Sequence, residues 1–325
     1  MPLMSGSTSR ESHGAVLVTL ALLVSVAGLA WAGVRTGHVG IGDAPSVQAQ
    51  EATATATARA TAAPTPSVTP TQSPTLAVIP PGAELVGAFE ALTAELGGEY
   101  ALAWVDAHGL SRLGGPGDGS AWSTIKVPLA IAVAEHASDA GGNPWPDIEA
   151  AITRSDNDAA ARLWASLGPP EDAAAAVDEV LSAYDSGGTQ TQSVVVRPPF
   201  SSFGQTEWAP VDQARFAAAL SCADRASVAA QVRAAMGRVA PDHRWGIGRL
   251  QDAHIKSGWG PDAAGAYTLR QLGDGSVEGR RYALAVVGRA ADGTYPQAAA
   301  DLDELVDWWA QAAAHRPGLP CTEGR

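Results

Sequence analysis

Only two of the 21 basic residues in this 325-residue chain are lysine, and each sits in a short polar motif, Ser123-Thr-Ile-Lys126 and Lys256-Ser257-Gly258. Arginine supplies every other positive side chain. A guanidinium stays protonated, whereas a compact ammonium loses its proton readily when buried, so two retained lysines point to work that needs a titratable amine. Ser123 precedes Lys126 by one helical turn, which would set both on one face and let the amine take the hydroxyl proton. A helix N-terminus at Ser123 would add backbone N–H groups and a dipole favouring a nearby oxyanion. Lys256, together with burial, would lower the pKa of Lys126. Between the two lysine motifs lies a third polar group, Ser155-Asp156-Asn157. Each motif alone has an ordinary reading: an N-cap serine with a surface lysine, a helix cap, and the end of an edge strand with a protective lysine. Their order and the absence of other lysines favour chemistry.

The elements that must carry these motifs can be read from apolar spacing. Glu84 to Leu96 reads as a surface helix closed by Gly97-Gly98, followed by a strand pair, Tyr100 to Val105 and Leu110 to Leu113, turning at Asp106-Ala-His-Gly109. Ser123 opens a run suited to a buried helix, with Pro128 tolerated in its first turns. Helices are predicted over 147–154, 158–167, 172–184, 211–222 and 226–236, with Ser155-Asp156-Asn157 between the first two. Residues 185–205 show no period and read as a long surface loop of the kind that carries function. Strands are predicted over 253–258, 266–272 and 281–289, with turns at Gly260-Pro261 and Gly273-Asp274-Gly275, and a closing helix over 298–314. The economical architecture is α+β: a mixed sheet assembled from both chain ends, a helical insertion, and the first and last helices on one face.

S-x-x-K, S-D-N and K-[TS]-G in this order resemble the penicillin-recognising serine enzymes, which comprise serine β-lactamases and D-Ala-D-Ala peptidases. AITRSDNDAAARLW is similar to the S-D-N region of class A β-lactamases, and IKSGWG with the strands and helix after it is similar to their C-terminal half. The resemblance covers about Gly82 to Ala314. It implies a five-stranded antiparallel sheet flanked by helices plus an all-helical lobe. It also implies roles. Ser123 would be the acylated nucleophile, Lys126 its general base, and Ser155 the proton relay to the leaving nitrogen. Asn157 would hold a substrate amide. Lys256 would supply charge for a substrate carboxylate and Ser257 a hydrogen bond to it. The backbone N–H groups of Ser123 and of Trp259, the residue after Gly258, would form the oxyanion hole. Two departures stand out. No E-x-x-L-N follows the helical segment, where class A enzymes carry the glutamate that activates the deacylating water; Glu207 is the only acid of that loop after Asp185. Ser123 and Ser155 are 32 positions apart, which implies a reduced helical lobe.

The rest of the chain bounds the setting. Residues 1–13 form a short N-terminus, and Gly14 to Val34 is an uncharged apolar run of 21 residues that reads either as a secretory signal or as a membrane-spanning anchor. Both place the remainder outside the cytoplasm. Residues 35–80, rich in Ala, Thr and Pro, read as a disordered tether to a domain at 81–325. The first 80 residues balance three acids against three bases, so the net charge of −13 belongs to that domain and argues against nucleic acid as a partner. Cys222 and Cys321, the only cysteines, are expected to pair in an exported chain. No histidine or cysteine spacing calls for a metal, and no cofactor is implied. Trp122 and Trp259 adjoin the motifs as candidate cleft walls, whereas Trp164, Trp308, Trp309 and His254 read as packing residues. The leading expectation is an exported serine acyl-enzyme acting on β-lactams or peptidoglycan-like peptides with slow deacylation. The alternatives are a non-catalytic envelope-binding module of the same fold and an esterase.

Overall fold

A computed structural model of the chain describes residues 76–115, 117–140 and 142–321. The apolar run at 14–34 and all but the end of the tether lie outside the described residues. That end is docked on the domain: the Ile79 N–H donates to Leu110 O at 2.7 Å, Val78 bridges Leu110 in parallel, and Arg215 donates to Leu76 O.

Five strands form one sheet in the order β2-β1-β5-β4-β3. They are β1 (Glu99–Asp106), β2 (Gly109–Gly114), β3 (Gln251–Pro261), β4 (Tyr267–Val277) and β5 (Arg280–Arg289). Every pairing is antiparallel, including β1 with β5, which joins the two chain ends. The sheet is thus antiparallel throughout, as the family resemblance implied, and not the mixed sheet that element order suggested. Helix α1 (Ala83–Leu96) closes on Gly97, whose φ of 72° lets its N–H reach Thr93 O. With α8 (Tyr295–Ala313) it covers one face over a core that includes Phe89, Trp104, Tyr282, Leu302 and Trp309. The other face is packed by α6 (Pro210–Ser221) and the helical lobe α2 (Lys126–Ala140), α3 (Trp145–Thr153), α4 (Asn157–Ser166), α5 (Pro170–Ala183) and α7 (Val228–Met236). Within α2, Val127, Leu129, Ala130, Ile131 and Ala132 are all fully buried, which explains why that segment shows an almost continuous apolar run rather than a stripe.

The turn expected at Gly273-Asp274-Gly275 is instead the middle of β4, and the reversal falls at Glu278 and Gly279. The glycines mark close approaches: a Cβ on Gly273 would lie 2.1 Å from His254 O, and one on Gly275 2.7 Å from Leu250 Cβ. Asp274 is 2% exposed and holds Arg233, Arg281 and the His254 ring, tying α7 and β5 to β4. Removing one side of such a buried pair strands the other charge. Asp274→Ala should therefore lower stability by about 3–5 kcal/mol in urea titrations.

Cys222, at the C-cap of α6, is bonded to Cys321 across a separation of 99 residues, with Cα atoms 5.1 Å apart. The pairing expected from composition is present. Closing a loop of that length stabilises mainly by restricting the unfolded chain. Paired Cys222→Ser and Cys321→Ser substitutions should cost about 2–5 kcal/mol in denaturant midpoints while preserving the fold.

Candidate active site

The lead-in to α2 is a short 3-10 turn, Trp122–Ile125, and Lys126 is the first residue of the α-helix. Trp122 adopts φ 51°, a left-handed conformation that costs a non-glycine residue of order 1–3 kcal/mol unless its surroundings impose it. The surroundings do. The Thr124 hydroxyl donates to Ala121 O and accepts from Gln213 Nε2 at 3.0 Å. Outside the turn, Ala121 N–H donates to Thr206 O and Trp208 N–H to Gly119 O. Arg270 on β4, 1% exposed, then spans both segments, donating to Trp208 O at 2.7 Å and Gly117 O at 3.0 Å. Burial pulls its pKa down to about 10, which leaves it protonated at neutral pH.

Ser123 is half-buried on this turn, against β3. β3 is one edge strand of the sheet, so half of its backbone groups lack a strand partner and face outward. A Cβ on Gly258 would lie 2.8 Å from Ser123 N and 3.0 Å from Thr124 N. Glycine there is what lets the turn and the edge strand approach, and the Ser123 N–H sits at that junction.

The two lysines converge on the loop between α3 and α4. Ser155 has φ 55°, which turns its carbonyl and hydroxyl toward them, while the Asp156 carboxylate caps α4 by accepting from Ala159 N–H at 2.8 Å. Lys126 Nζ donates to Ser155 O at 2.7 Å and to Asn157 Oδ1 at 2.8 Å, with Asp156 O at 3.3 Å and Ser155 Oγ at 3.5 Å. Lys256 Nζ donates to Ser155 Oγ at 2.9 Å and to Ser257 O at 3.0 Å. Ser155 Oγ therefore lies between two amines. Lys126 is 2% exposed and Lys256 fully buried. Burial lowers Lys126 to about 8, opposed by the nearby Asp156 charge. Burial, then the charge of Lys126, lowers Lys256 well below the usual lysine range. Among the described residues neither amine is in a salt bridge with a carboxylate.

At three places the geometry differs from the simplest picture of the motifs. The Ser123 hydroxyl makes no hydrogen bond to Lys126: the serine sits on a 3-10 turn rather than the first α-helical turn, and the amine is taken by acceptors on 155–157. Ser257 is fully buried, and its hydroxyl donates to His243 O at 2.8 Å and accepts from Gln271 Nε2 at 2.9 Å, so its proton is committed away from any ligand. Strand alternation puts Ser257 and Trp259 on the face opposite Lys256 and Gly258. There the Trp259 ring packs edge-on against His243 at 4.9 Å and Tyr295 at 5.3 Å rather than lining the cleft. Asn157 is exposed, and only its carbonyl is engaged by the protein. His254 pairs with Arg233 as a packing histidine.

Sequence reading missed two neighbours of the site. His243 had no motif to mark it; burial, then the charge of Lys256, lowers its pKa against the opposing charge of Asp242. Arg197 lies in the long loop singled out for function, but nothing in its sequence showed that the guanidinium stacks 5.2 Å from the Trp122 ring centre.

No protein-family model matches the chain, and no curated protein matches it. Solved structures do. A β-lactamase from Sphaerobacter thermophilus superimposes with a TM-score of 0.56 at 18% identity, covering 73% of this chain and 100% of the other. One from Streptosporangium roseum gives 0.53 at 17%, covering 71% and 100%. An ancestral class A β-lactamase gives 0.51 at 19%, covering 70% and 99%. The chain has the class A β-lactamase-like fold.

Proposed function

We propose that the protein is an exported serine acyl-enzyme of the β-lactamase and D-Ala-D-Ala peptidase type, slow to release its acyl group. The observation that carries the reading is the convergence of two desolvated lysines on Ser155 Oγ beside a serine whose N–H lies at the Gly258 junction. With a pKa of about 8, roughly a tenth of Lys126 is a free amine at neutral pH. In acylation, Ser123 Oγ bonds to the substrate carbonyl carbon and its proton passes to Lys126, whose amine must first turn from its acceptors on residues 155–157. The oxyanion is held by the Ser123 N–H and an outward N–H of β3 at Trp259. As the carbon–nitrogen bond breaks, Ser155 hands its proton to the leaving nitrogen and is reprotonated from Lys126 or Lys256. A substrate carboxylate arriving near Lys256 would favour its ammonium form again. Asn157 offers its amide N–H groups to the acyl side chain.

Release needs a second base for water. The loop after α5 brings Arg197, not a carboxylate, onto the ring of Trp122, the residue before Ser123, and Glu207 is exposed in a bridge with Ser120. Slow hydrolysis follows. The substrate is a β-lactam or a peptide of cell-wall type, reached from outside the cytoplasm, and the apolar run at 14–34 is the export signal or anchor.

The test is intact mass of the chain from residue 76 onward, incubated with benzylpenicillin, for the native protein and Ser123→Ala. A persistent adduct of the native protein only is the expected result. Lack of both adduct and hydrolysis would favour a binding module, the reading that the missing Ser123–Lys126 hydrogen bond supports.

A further inference from the structure

Arg197 is the one arginine around the site whose guanidinium finds rings instead of acceptors. Among the described residues it has no ion pair or side-chain hydrogen bond; its charge lies 5.2 Å from the Trp122 ring centre and 4.6 Å from that of Phe200. The two rings meet edge-on at 5.1 Å, so the three side chains form one cluster. The cluster is held rigidly from beneath. Gln205, 7% exposed, accepts from the Arg197 N–H at 2.6 Å and donates to Phe200 O and Ser201 O, each at 3.0 Å. A buried glutamine thus spends its whole side-chain amide on presenting one half-buried cation in a protein of net charge −13.

The placement gives the cation a direction. A Cβ on Gly260 would lie 2.3 Å from the Trp122 ring, so the indole rests on β3 two residues past Gly258. Lys256, at the other end of the motif, marks the leaving-group side, because it and Ser155 serve the departing nitrogen. Gly260 lies on the acyl side, about 7 Å from Gly258 along an extended strand. Beyond the cluster, Val194, Val195 and Val196 are 61%, 49% and 68% exposed and offer an apolar rim. A cation stacked on aromatic faces keeps its N–H edge free for a planar anion.

Building on the acyl-enzyme reading, we infer that Arg197 is a specificity-determining residue that binds a carboxylate carried on the acyl side of the substrate, some 7 Å beyond the reacting carbonyl. The ligand class is an acyl donor with an aliphatic arm ending in a carboxylate. The same cation at this place cannot act as a base, which couples selectivity for an anionic acyl group to slow release of that group.

The experiment compares a penicillin bearing a glutaryl side chain with its methyl ester, which differ by one charge at the end of the same arm. Acylation is followed by intact mass in the native protein, Arg197→Met and Arg197→Lys. The native protein should acylate with the free acid about fivefold faster than with the ester, the size of a charge-assisted hydrogen bond partly open to water. Arg197→Met should bring the ratio to one or below, Arg197→Lys should keep part of it, and 0.5 M salt, at which the Debye length falls to about 4 Å, should shrink it. A native ratio of one, or a ratio unchanged by Arg197→Met, overturns the inference. Calorimetric binding of both compounds to Ser123→Ala separates it from the acyl-enzyme reading. Preference for the acid there, without any adduct in the native protein, sinks the acyl-enzyme reading and keeps the anion site. Adducts without preference sink the anion site alone, and absence of adduct and of preferential binding sinks both.

Discussion

Lys126→Met is expected to lower the rate of acylation by about a thousandfold or more, within the range that a positioned general base contributes. The same change is expected to leave the protein no less stable and to raise its thermal midpoint. The two outcomes share one cause. Lys126 is 2% exposed, and burial has moved its pKa from 10.5 to about 8. The folded state therefore disfavours the ammonium. Below about 8 the amine is protonated folded and unfolded, and the penalty is present in full; it fades as pH rises toward 10.5, where both states lose the proton. That gap corresponds to about 3 kcal/mol at neutral pH. Methionine fills a similar volume without the charge, but it leaves Ser155 O and Asn157 Oδ1 without their donor, at about 1 kcal/mol each, so the net gain should be about 1 kcal/mol. Native acylation should climb with pH up to and through about 8 as the free amine accumulates, whereas stability should climb above that, between about 8 and 10.5. A pH profile of adduct formation and of the thermal midpoint measures both. A variant that acylates normally would remove Lys126 from the mechanism, and one that acylates slowly but melts earlier would show that its hydrogen bonds outweigh its desolvation.

Gly258→Ala should lower acylation by about a hundredfold or more with little change in global stability. The new Cβ would arrive 2.8 Å from Ser123 N, 2.9 Å from Ala121 O and 3.0 Å from Thr124 N, all backbone atoms of a turn already fixed by Thr124, Gln213 and Arg270. The edge strand has one partner and can yield, so strain should be relieved by moving β3 outward. That movement opens the gap between the Ser123 N–H and the strand N–H, and loss of one oxyanion donor costs about a hundred- to a thousandfold. Measured acylation rates with unchanged circular dichroism would bear this out. Native rates in Gly258→Ala would place the oxyanion elsewhere.

Much of the fold was legible because its elements are locally specified. The apolar spacing of α1 and its closing Gly97, the tight β1–β2 turn, and Pro at the start of α3, α5, α6 and α8 are signals carried within a few residues. The three motifs were legible too, since chemistry restricts residue type: a chain with two lysines states where it needs amines. The sequence by itself therefore determined the helices and strands, the set of polar groups and their order along the chain. What only the tertiary structure decided is how those groups face one another. Gly273-Asp274-Gly275 carries turn residues, yet a neighbouring strand's carbonyl, two arginines and the His254 ring make it strand interior. Ser257 and Lys256 are adjacent in sequence but strand alternation sends them to opposite faces. Lys126 is one turn from Ser123, yet its hydrogen bonds go to residues 29 to 31 positions away. Arg197 becomes part of the site only because the loop folds back onto Trp122. Local propensity has no access to such distances; burial, which sets both the lysine pKa values and the free edge of Arg197, exists only once remote segments have packed.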